Sequence, residues 1–271
     1  MNEIFSMTNS TKLIELDNKK YILRIPGKGT EKLINRHQEY EVYKTIQSFH
    51  ISDEILFFDE NSGVKIAKYI PDCHNCNPND ENDVRLAMQT IRHLHSLKLT
   101  VDFKFDLKEK IKYYEVLMKR SKYRSYSQLK NEIFGMLNYT SRYKTDYCLC
   151  HIDPNQDNIL INKDNEVKAL VDWEYAAMQD PLLDVAMFVI YAGYKKKQID
   201  DTLKLYNKDF TLIDKLKYYA YISAAGLLWS NWCEYKNQLG QYFGGIYEKS
   251  QYEYAKKYNE YAWRLLNDIH R

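Results

Sequence analysis

The sequence predicts an α+β protein in which a small β-rich N-terminal lobe precedes a larger, mainly helical C-terminal lobe. Three observations carry this expectation. Short runs of strand character dominate the first 70 residues. A Pro- and Asn-rich connector, "PDCHNCNPND" at 71–80, follows them. Beyond it apolar residues recur mainly at helical spacing, interrupted by three short strand-like runs. The division is expected at 1–72 and 73–271, with a hinge at 67–72.

The elements follow in order. "TKLIELD" and "KYILRIP" flank the turn residues "NK" and read as a hairpin. "TEKLINRHQEYEVYKTIQSFH" reads as a helix, with Thr30 as its N-cap and Leu33, Ile34, Tyr40, Tyr43 and Ile46 as a rough apolar face. "EILFFD" and "GVKIAKYI" are two more strands joined by a turn at Asn61–Gly63. After the connector, Val84, Ala87, Met88, Ile91 and Leu94 repeat at i, i+3, i+4 and i+7 and mark a helix. Two further helical segments lie between 106 and 140. Short strands come at "YCLC", "NILIN" and "EVKALVD", and the remainder to 271 is helical. No internal repeat or low-complexity tract is present.

Bulk properties narrow the function classes. Hydrophobic residues make up 45% of the 271, ordinary for a globular protein. Lys plus Arg number 39 against 37 Asp plus Glu, a balance that argues against a nucleic-acid footprint. The "KKK" at 195–197 reads as solvated surface. The stretch "MNEIFSMTNSTK" has no apolar signal region, and "DVAMFVIYAGY" is too short to span a bilayer, so no membrane insertion is expected. An odd number of cysteines, five, fits a reduced, cytoplasmic protein. "CHNC" sets Cys73 and Cys76 at metal-ligand spacing, and "CLCH" adds Cys148, Cys150 and His151. A second CxxC is missing, so these are read as loop or buried thiols rather than as a zinc site.

The loop "CHIDPNQDNILIN", residues 150–162, is the chemically dense stretch. It gathers His151, Asp153, Asn155, Asp157 and Asn158, where a turn needs only one or two such residues. In phosphoryl transfer one carboxylate orients and deprotonates the attacking hydroxyl, and two oxygen ligands hold Mg²⁺ against the phosphates. Asp153 and Asn158 stand at the D-x-x-x-x-N spacing of a kinase catalytic loop. "NILINKDNEVKALVDWEY" then reads as strand, turn at 164–165 and strand, which returns Asp172 beside Asn158. The spacing alone is a weak signal, and an Asx-rich turn capping local backbone groups would also produce the loop. Such a turn leaves Asp172 and the order of the lobes without a reason.

"HIDPNQDNILI" together with "LVDWEYAAMQDPLLDVA" resembles the choline/ethanolamine kinase family within the aminoglycoside-phosphotransferase-like kinases, in particular the bacterial LicA-type choline kinases. "YILRIPGKGTEKLINRHQEY" and "LLWSNWCEYKNQLG" extend the resemblance from about residue 5 to about residue 255. It is weakest over 100–140. It implies a bilobal protein-kinase-like fold that uses ATP and Mg²⁺. By the same resemblance Asp153 matches the catalytic aspartate, and Asn158 and Asp172 the magnesium ligands. Arg24 stands where the family keeps a cation for the nucleotide phosphates, and Glu39 matches the acid paired with it. Without the resemblance those two read as surface charges. Thr8 and Asn9 fall in the phosphate-covering hairpin, and Lys68, Tyr69 and Ile70 at the hinge facing the adenine edge. The family's Gly-Gly pair is absent: this chain has Phe5-Ser6-Met7 before Thr8, which removes the freedom of glycine to approach phosphates closely.

Trp229 and Trp232, three apart, share one helix face. Taken alone they read as core packing. The resemblance implies instead that they wall a pocket for a quaternary ammonium, with Tyr175 and Tyr191 as further walls and Glu174 and Asp184 as added negative charge. Asp184 has bracing of the catalytic loop as its other reading. The expected reaction is direct in-line transfer of the ATP γ-phosphate to the choline hydroxyl, giving phosphocholine without a covalent enzyme intermediate. The alternatives are a kinase for ethanolamine, an aminoglycoside or another small alcohol, and a nucleotide-binding protein without turnover.

Overall fold

The computed structural model describes residues 2–4, 8–242 and 245–271. The glycine-poor stretch Phe5-Ser6-Met7 lies outside the described residues. Five antiparallel strands form the N-terminal sheet: β1 (Asn2–Ile4), β2 (Asn9–Leu16), β3 (Lys19–Pro26), β4 (Ile55–Phe58) and β5 (Lys65–Lys68), in the order β1-β2-β3-β5-β4. Leu16 pairs with Lys19, so the hairpin turn is Asp17–Asn18, one residue earlier than the "NK" expected from sequence. Both turn residues have positive φ, 50° and 59°, which Asp and Asn tolerate and a primed two-residue turn requires.

The first α-helix starts later than expected. Thr30–Lys32 form a single 3₁₀ turn, and α1 runs Arg36–Ile46 with Asn35, not Thr30, as its N-cap. Asn35 adopts an extended conformation and its side chain accepts the Gln38 N–H, while the Thr30 hydroxyl is engaged by the Gly27 carbonyl 2.7 Å away. The local cap therefore overrides the longer apolar pattern. Besides Val42, Tyr43 and Ile46, α1 buries two charged residues, Arg36 and Glu39.

The connector is also more ordered than its composition predicts. Within it β6 (Cys73–Asn75) pairs with β8 (Ile159–Asn162), and β8 pairs with β9 (Val167–Leu170) in a three-stranded sheet. A strand absent from the sequence reading, β10 (Ala177–Gln179), pairs with β7 (Cys148–Cys150). Three-residue strands are too short to display a period, and partners far along the chain determine them.

The helices are α2 (Glu81–Ser96), α3 (Leu107–Met118), α4 (Tyr126–Thr140), α5 (Leu182–Tyr191), α6 (Lys196–Tyr206), α7 (Leu212–Gln238) and α8 (Gly245–Ile269). Asp80 caps α2 by accepting the Asn82 and Asp83 N–H groups. From Leu216 to Lys236 every residue of α7 is buried, so this helix is the axis of the C-terminal part, enclosed by α3, α4, α5 and α8. Gly226 permits the α7–α8 crossing, since a Cβ there would stand 2.6 Å from the Gln251 carbonyl oxygen. Among the described residues no helix is long and apolar enough to cross a membrane.

Candidate active site

The polar loop is held from beneath. The N–H groups of His151 and Ile152 donate to Asp184 Oδ2 and Oδ1 at 2.8 and 2.7 Å, and His95 Nε2 donates to Oδ2 at 2.9 Å. Ile152 has φ 68°, an unfavourable conformation for a β-branched residue, and this two-point grip compensates it. Asp184 is fully buried and is on the lining of neither cavity at this loop, so its position is that of the brace and not of a pocket charge.

The remaining polar residues of the loop also have structural partners. Asn155 caps the 3₁₀ turn Gln156–Asn158. His151 Nε2 donates to the Val171 carbonyl at 3.0 Å, and the Val171 N–H donates to the Asn158 carbonyl at 2.9 Å. These bonds bring Asp172 beside Asn158. The Asn158 side-chain N–H is engaged by the Asp153 main-chain oxygen at 2.9 Å, which leaves its Oδ1 as the group offered to a ligand.

Two cavities meet there, and Asp157, Asn158 and Asp172 line both. The smaller, of about 100 Å³, has Asp153 on its lining among Tyr175, Tyr191, Trp229, Trp232 and Tyr247, with Thr8 also on its wall. Trp229 meets Tyr175 edge-on at 5.5 Å, Tyr191 at 5.8 Å and Trp232 at 6.0 Å. The Asp153 carboxyl is pushed up to about 7 by burial, with Asp172, Glu174 and Asp184 adding like charge and a hydrogen bond from Tyr191 opposing them. The larger cavity, of about 460 Å³, is lined by Arg24, Asp53 and Lys65, by Lys68, Tyr69 and Ile70 of the expected hinge, and by Leu160 and Val171.

An ion-pair network joins the small sheet to this meeting point. Arg24 grips both oxygens of Glu39, with Nη2–Oε2 at 2.9 Å, and reaches Asp172 Oδ1 at 3.2 Å. Arg36 bridges Glu39 at 2.8 Å and Glu174 at 3.0 Å, and the Asn9 amide donates to Glu174 at 3.0 Å. Burial alone would raise the Glu39 pKa, but Arg24, Lys65 and Arg36 hold it below the usual carboxylate range. Glu174 is pushed up to about 7 by burial and by Asp172 and Glu39, against the pull of Arg24 and Arg36. Glu174 lines neither cavity, so the structure places it in a clasp between lobes and not in the aromatic pocket. Gly63, with φ 75°, is required here. Its carbonyl accepts from Arg24 Nη2 at 3.0 Å, and a Cβ would stand 2.4 Å from Arg36 Nε.

Sequence reasoning missed Arg36, Lys65, Asp53 and Tyr247, and singled out Asp157 without giving it a role. The i, i+3 spacing of Arg36 and Glu39 was a usable signal for the first. Tyr247 carries none, because only the return of α8 brings it to the pocket. Cys73 and Cys76 gather no further metal ligands among the described residues.

The donor set at the junction, the Asn158 amide oxygen with the carboxylates of Asp172 and Asp157, is all hard oxygen, of the kind Mg²⁺ takes. A two-lobed α+β fold with a polar cleft opening onto a small acid-and-aromatic pocket supports, together with the family match that follows, a phosphotransferase acting on an alcohol. The sequence pattern of choline/ethanolamine kinases matches residues 1–224, and the chain belongs to that family. It is 26% identical over 285 residues to protein LicA of Haemophilus influenzae, covering 99% of this chain and 80% of that one. The crystal structure of choline kinase LicA from Streptococcus pneumoniae superposes with a TM-score of 0.82 at 26% identity, covering 93% of this chain and 89% of that chain. A structure of LicA in complex with AMP gives 0.83 at 26% identity over 96% and 90%.

Proposed function

We propose that the protein transfers the γ-phosphate of ATP to the hydroxyl of choline. The observation that supports this best is the junction itself: an aromatic pocket with Asp153 on its lining opens at Asp157, Asn158 and Asp172 onto a cleft large enough for a nucleotide. In this reading residues 1–72 form the nucleotide lobe and 73–271 the catalytic and substrate lobe.

The adenine edge meets the backbone of Lys68, Tyr69 and Ile70, and Arg24, positioned by Glu39, meets the phosphates. Thr8 and Asn9 belong to the hairpin that covers them. Asn158 and Asp172 hold Mg²⁺, which when bound offsets the phosphate charge. Asp153 orients the choline hydroxyl for in-line attack and accepts its proton, a role suited to a carboxyl poised near neutrality. Trp229, Trp232, Tyr175 and Tyr191 surround the quaternary ammonium, and Tyr247 completes the wall. A cation over an aromatic face gains about 0.5–2 kcal/mol. Choline has no N–H donors, so it loses little on leaving water for such a box, whereas a primary ammonium loses hydrogen bonds that the rings do not replace.

A cavity of about 100 Å³ favours a small alcohol over a multi-ring aminoglycoside. The test is an ATP-consumption assay over choline, ethanolamine, other small amino alcohols and an aminoglycoside. Choline should give the highest kcat/KM. Preference for ethanolamine would overturn the choline assignment, and turnover of none would favour nucleotide binding without transfer.

A further inference from the structure

The thiols of "CLC" meet the imidazole of His95 beneath the catalytic loop. Cys148 and Cys150 lie two apart on β7 and so project from one face of the strand. α2 lays His95 against them, and one ligand atom from each of the three lies within 4.8 Å of the others. All three residues are buried. The neighbouring His151 is not part of the group, since its ring packs on Trp173 at 4.6 Å.

We propose that His95, Cys148 and Cys150 form a binding site for a single thiophilic ion of the Zn²⁺, Cd²⁺ or Cu⁺ class. One imidazole and two sulfurs are the donors these ions select. The spacing favours an ion over a disulfide. Residues i and i+2 of a strand are about 6.5 Å apart, near the outer limit for an S–S bond. An ion with bonds of about 2.3 Å to each sulfur joins atoms much farther apart than a disulfide does.

His95 is prepared for the role. Its Nε2–H donates to Asp184, so Nδ1 carries the lone pair, which the Tyr206 hydroxyl meets at 2.9 Å. A carboxylate on one ring nitrogen and a lone pair on the other is the arrangement that orients metal-ligating histidines. An ion held between His95 Nδ1 and the two thiols displaces the Tyr206 hydroxyl from that nitrogen. A divalent ion binds as M²⁺ + 2 RSH → M(SR)₂ + 2 H⁺, so the buried product carries no net charge from ion and thiolates. In the metal-free protein the Cys150 thiol donates to the Gln179 carbonyl at 3.4 Å, a bond that metal binding gives up. β7 runs directly into Ile152 and Asp153, and Asp184 holds both His95 and that loop. Occupancy is therefore expected to inhibit the kinase. That consequence rests on the proposed role of Asp153, and the binding does not.

The test is titration of the metal-free full chain with Cd²⁺ in excess Mg²⁺. We expect one ion per chain, a thiolate-to-cadmium charge-transfer band, release of two protons and a raised Tm, since only native-state binding stabilises. Cys148→Ala and Cys150→Ala should each lose the band, and Cys73→Ser should keep it. The wild-type rate should be largely lost and return with a chelator, while Cys148→Ala, compared with its own metal-free rate, should not respond. Absence of the band, its survival in Cys148→Ala, or a lowered Tm, which means capture by the unfolded chain, would overturn the site. The proton count and Tm decide the matter in wild type even where a cysteine variant folds poorly. A bound ion with an unchanged rate would overturn the inhibitory consequence.

Discussion

Arg24 Nη1 lies 3.2 Å from Asp172 Oδ1, so a cation on the central strand of the small sheet reaches the carboxylate that follows β9. One guanidinium thereby ties α1, through Glu39, to the junction of the two cavities. In the proposed reaction Asp172 also holds magnesium. Asp172→Asn keeps the shape and removes the charge. The Mg²⁺ concentration for half-maximal rate should rise by at least about tenfold, the low end of what outer-shell partners alone are worth. Titrating MgCl₂ against rate measures it, and an unchanged curve would remove Asp172 from the metal site.

Arg36 is expected to matter for stability in a way that exposed pairs do not. It is 8% exposed and bridges two carboxylates that are themselves buried, Glu39 and Glu174. Removing it leaves both undercompensated, so Arg36→Ala should lower the unfolding free energy by about 3–5 kcal/mol. The pair of Lys68 and Glu54, both more than half exposed, belongs to the class worth at most about 1 kcal/mol. Urea denaturation of Arg36→Ala and Glu54→Ala separates the two, and equal midpoints would contradict the clasp.

The two tryptophans should not contribute equally. Lys236 already lies over the Trp232 ring at 5.5 Å, whereas Trp229 is the ring that touches Tyr175, Tyr191 and Trp232. Trp229→Ala should raise the choline KM by roughly 5- to 30-fold, the equivalent of about 1–2 kcal/mol. The KM for ATP should move much less, and Trp229→Phe should recover part of the loss. A choline KM unaffected by Trp229→Ala would return the ring to ordinary core packing.

Choline binding should be coupled to protons. Asp153 sits near 7 in the free protein, and a cation in the pocket favours its ionised form. Binding then lowers that pKa and releases protons, so affinity should rise as pH increases from about 6 to about 8. Calorimetry with choline and EDTA, in buffers of different ionisation enthalpy, reads the released proton directly. Asp153→Asn should abolish the release, and a pH-independent affinity in wild type would contradict the placement of the cation.

What could be read from the sequence was mainly local. The six residues from Asp153 to Asn158 and the single hairpin to Asp172 span little chain, so spacing and the hairpin together brought these three around one cavity. The α2 face from Val84 to Leu94 was equally plain, because a helix repeats its pattern over several turns. Illegible features depended on distant partners. Glu174 meets Arg36, 138 residues away, and that contact turned an expected pocket charge into a clasp. Asp184 is drawn beneath the loop by the N–H groups of His151 and Ile152. β6 and β10 exist only because β8 and β7 offer them edges. Tyr247 reaches the pocket from a helix whose own pattern gives no hint of it.

The central claim is phosphoryl transfer to choline at Asp153, and one measurement tests it most directly. ³¹P NMR of ATP, Mg²⁺ and choline with wild type and with Asp153→Asn follows product and rate together. Wild type should build a phosphocholine resonance as the ATP γ signal declines. The variant, folded by circular dichroism, should do so about 10²–10⁴-fold more slowly. Phosphocholine formed at a near wild-type rate by Asp153→Asn, or none formed by wild type, would contradict the account.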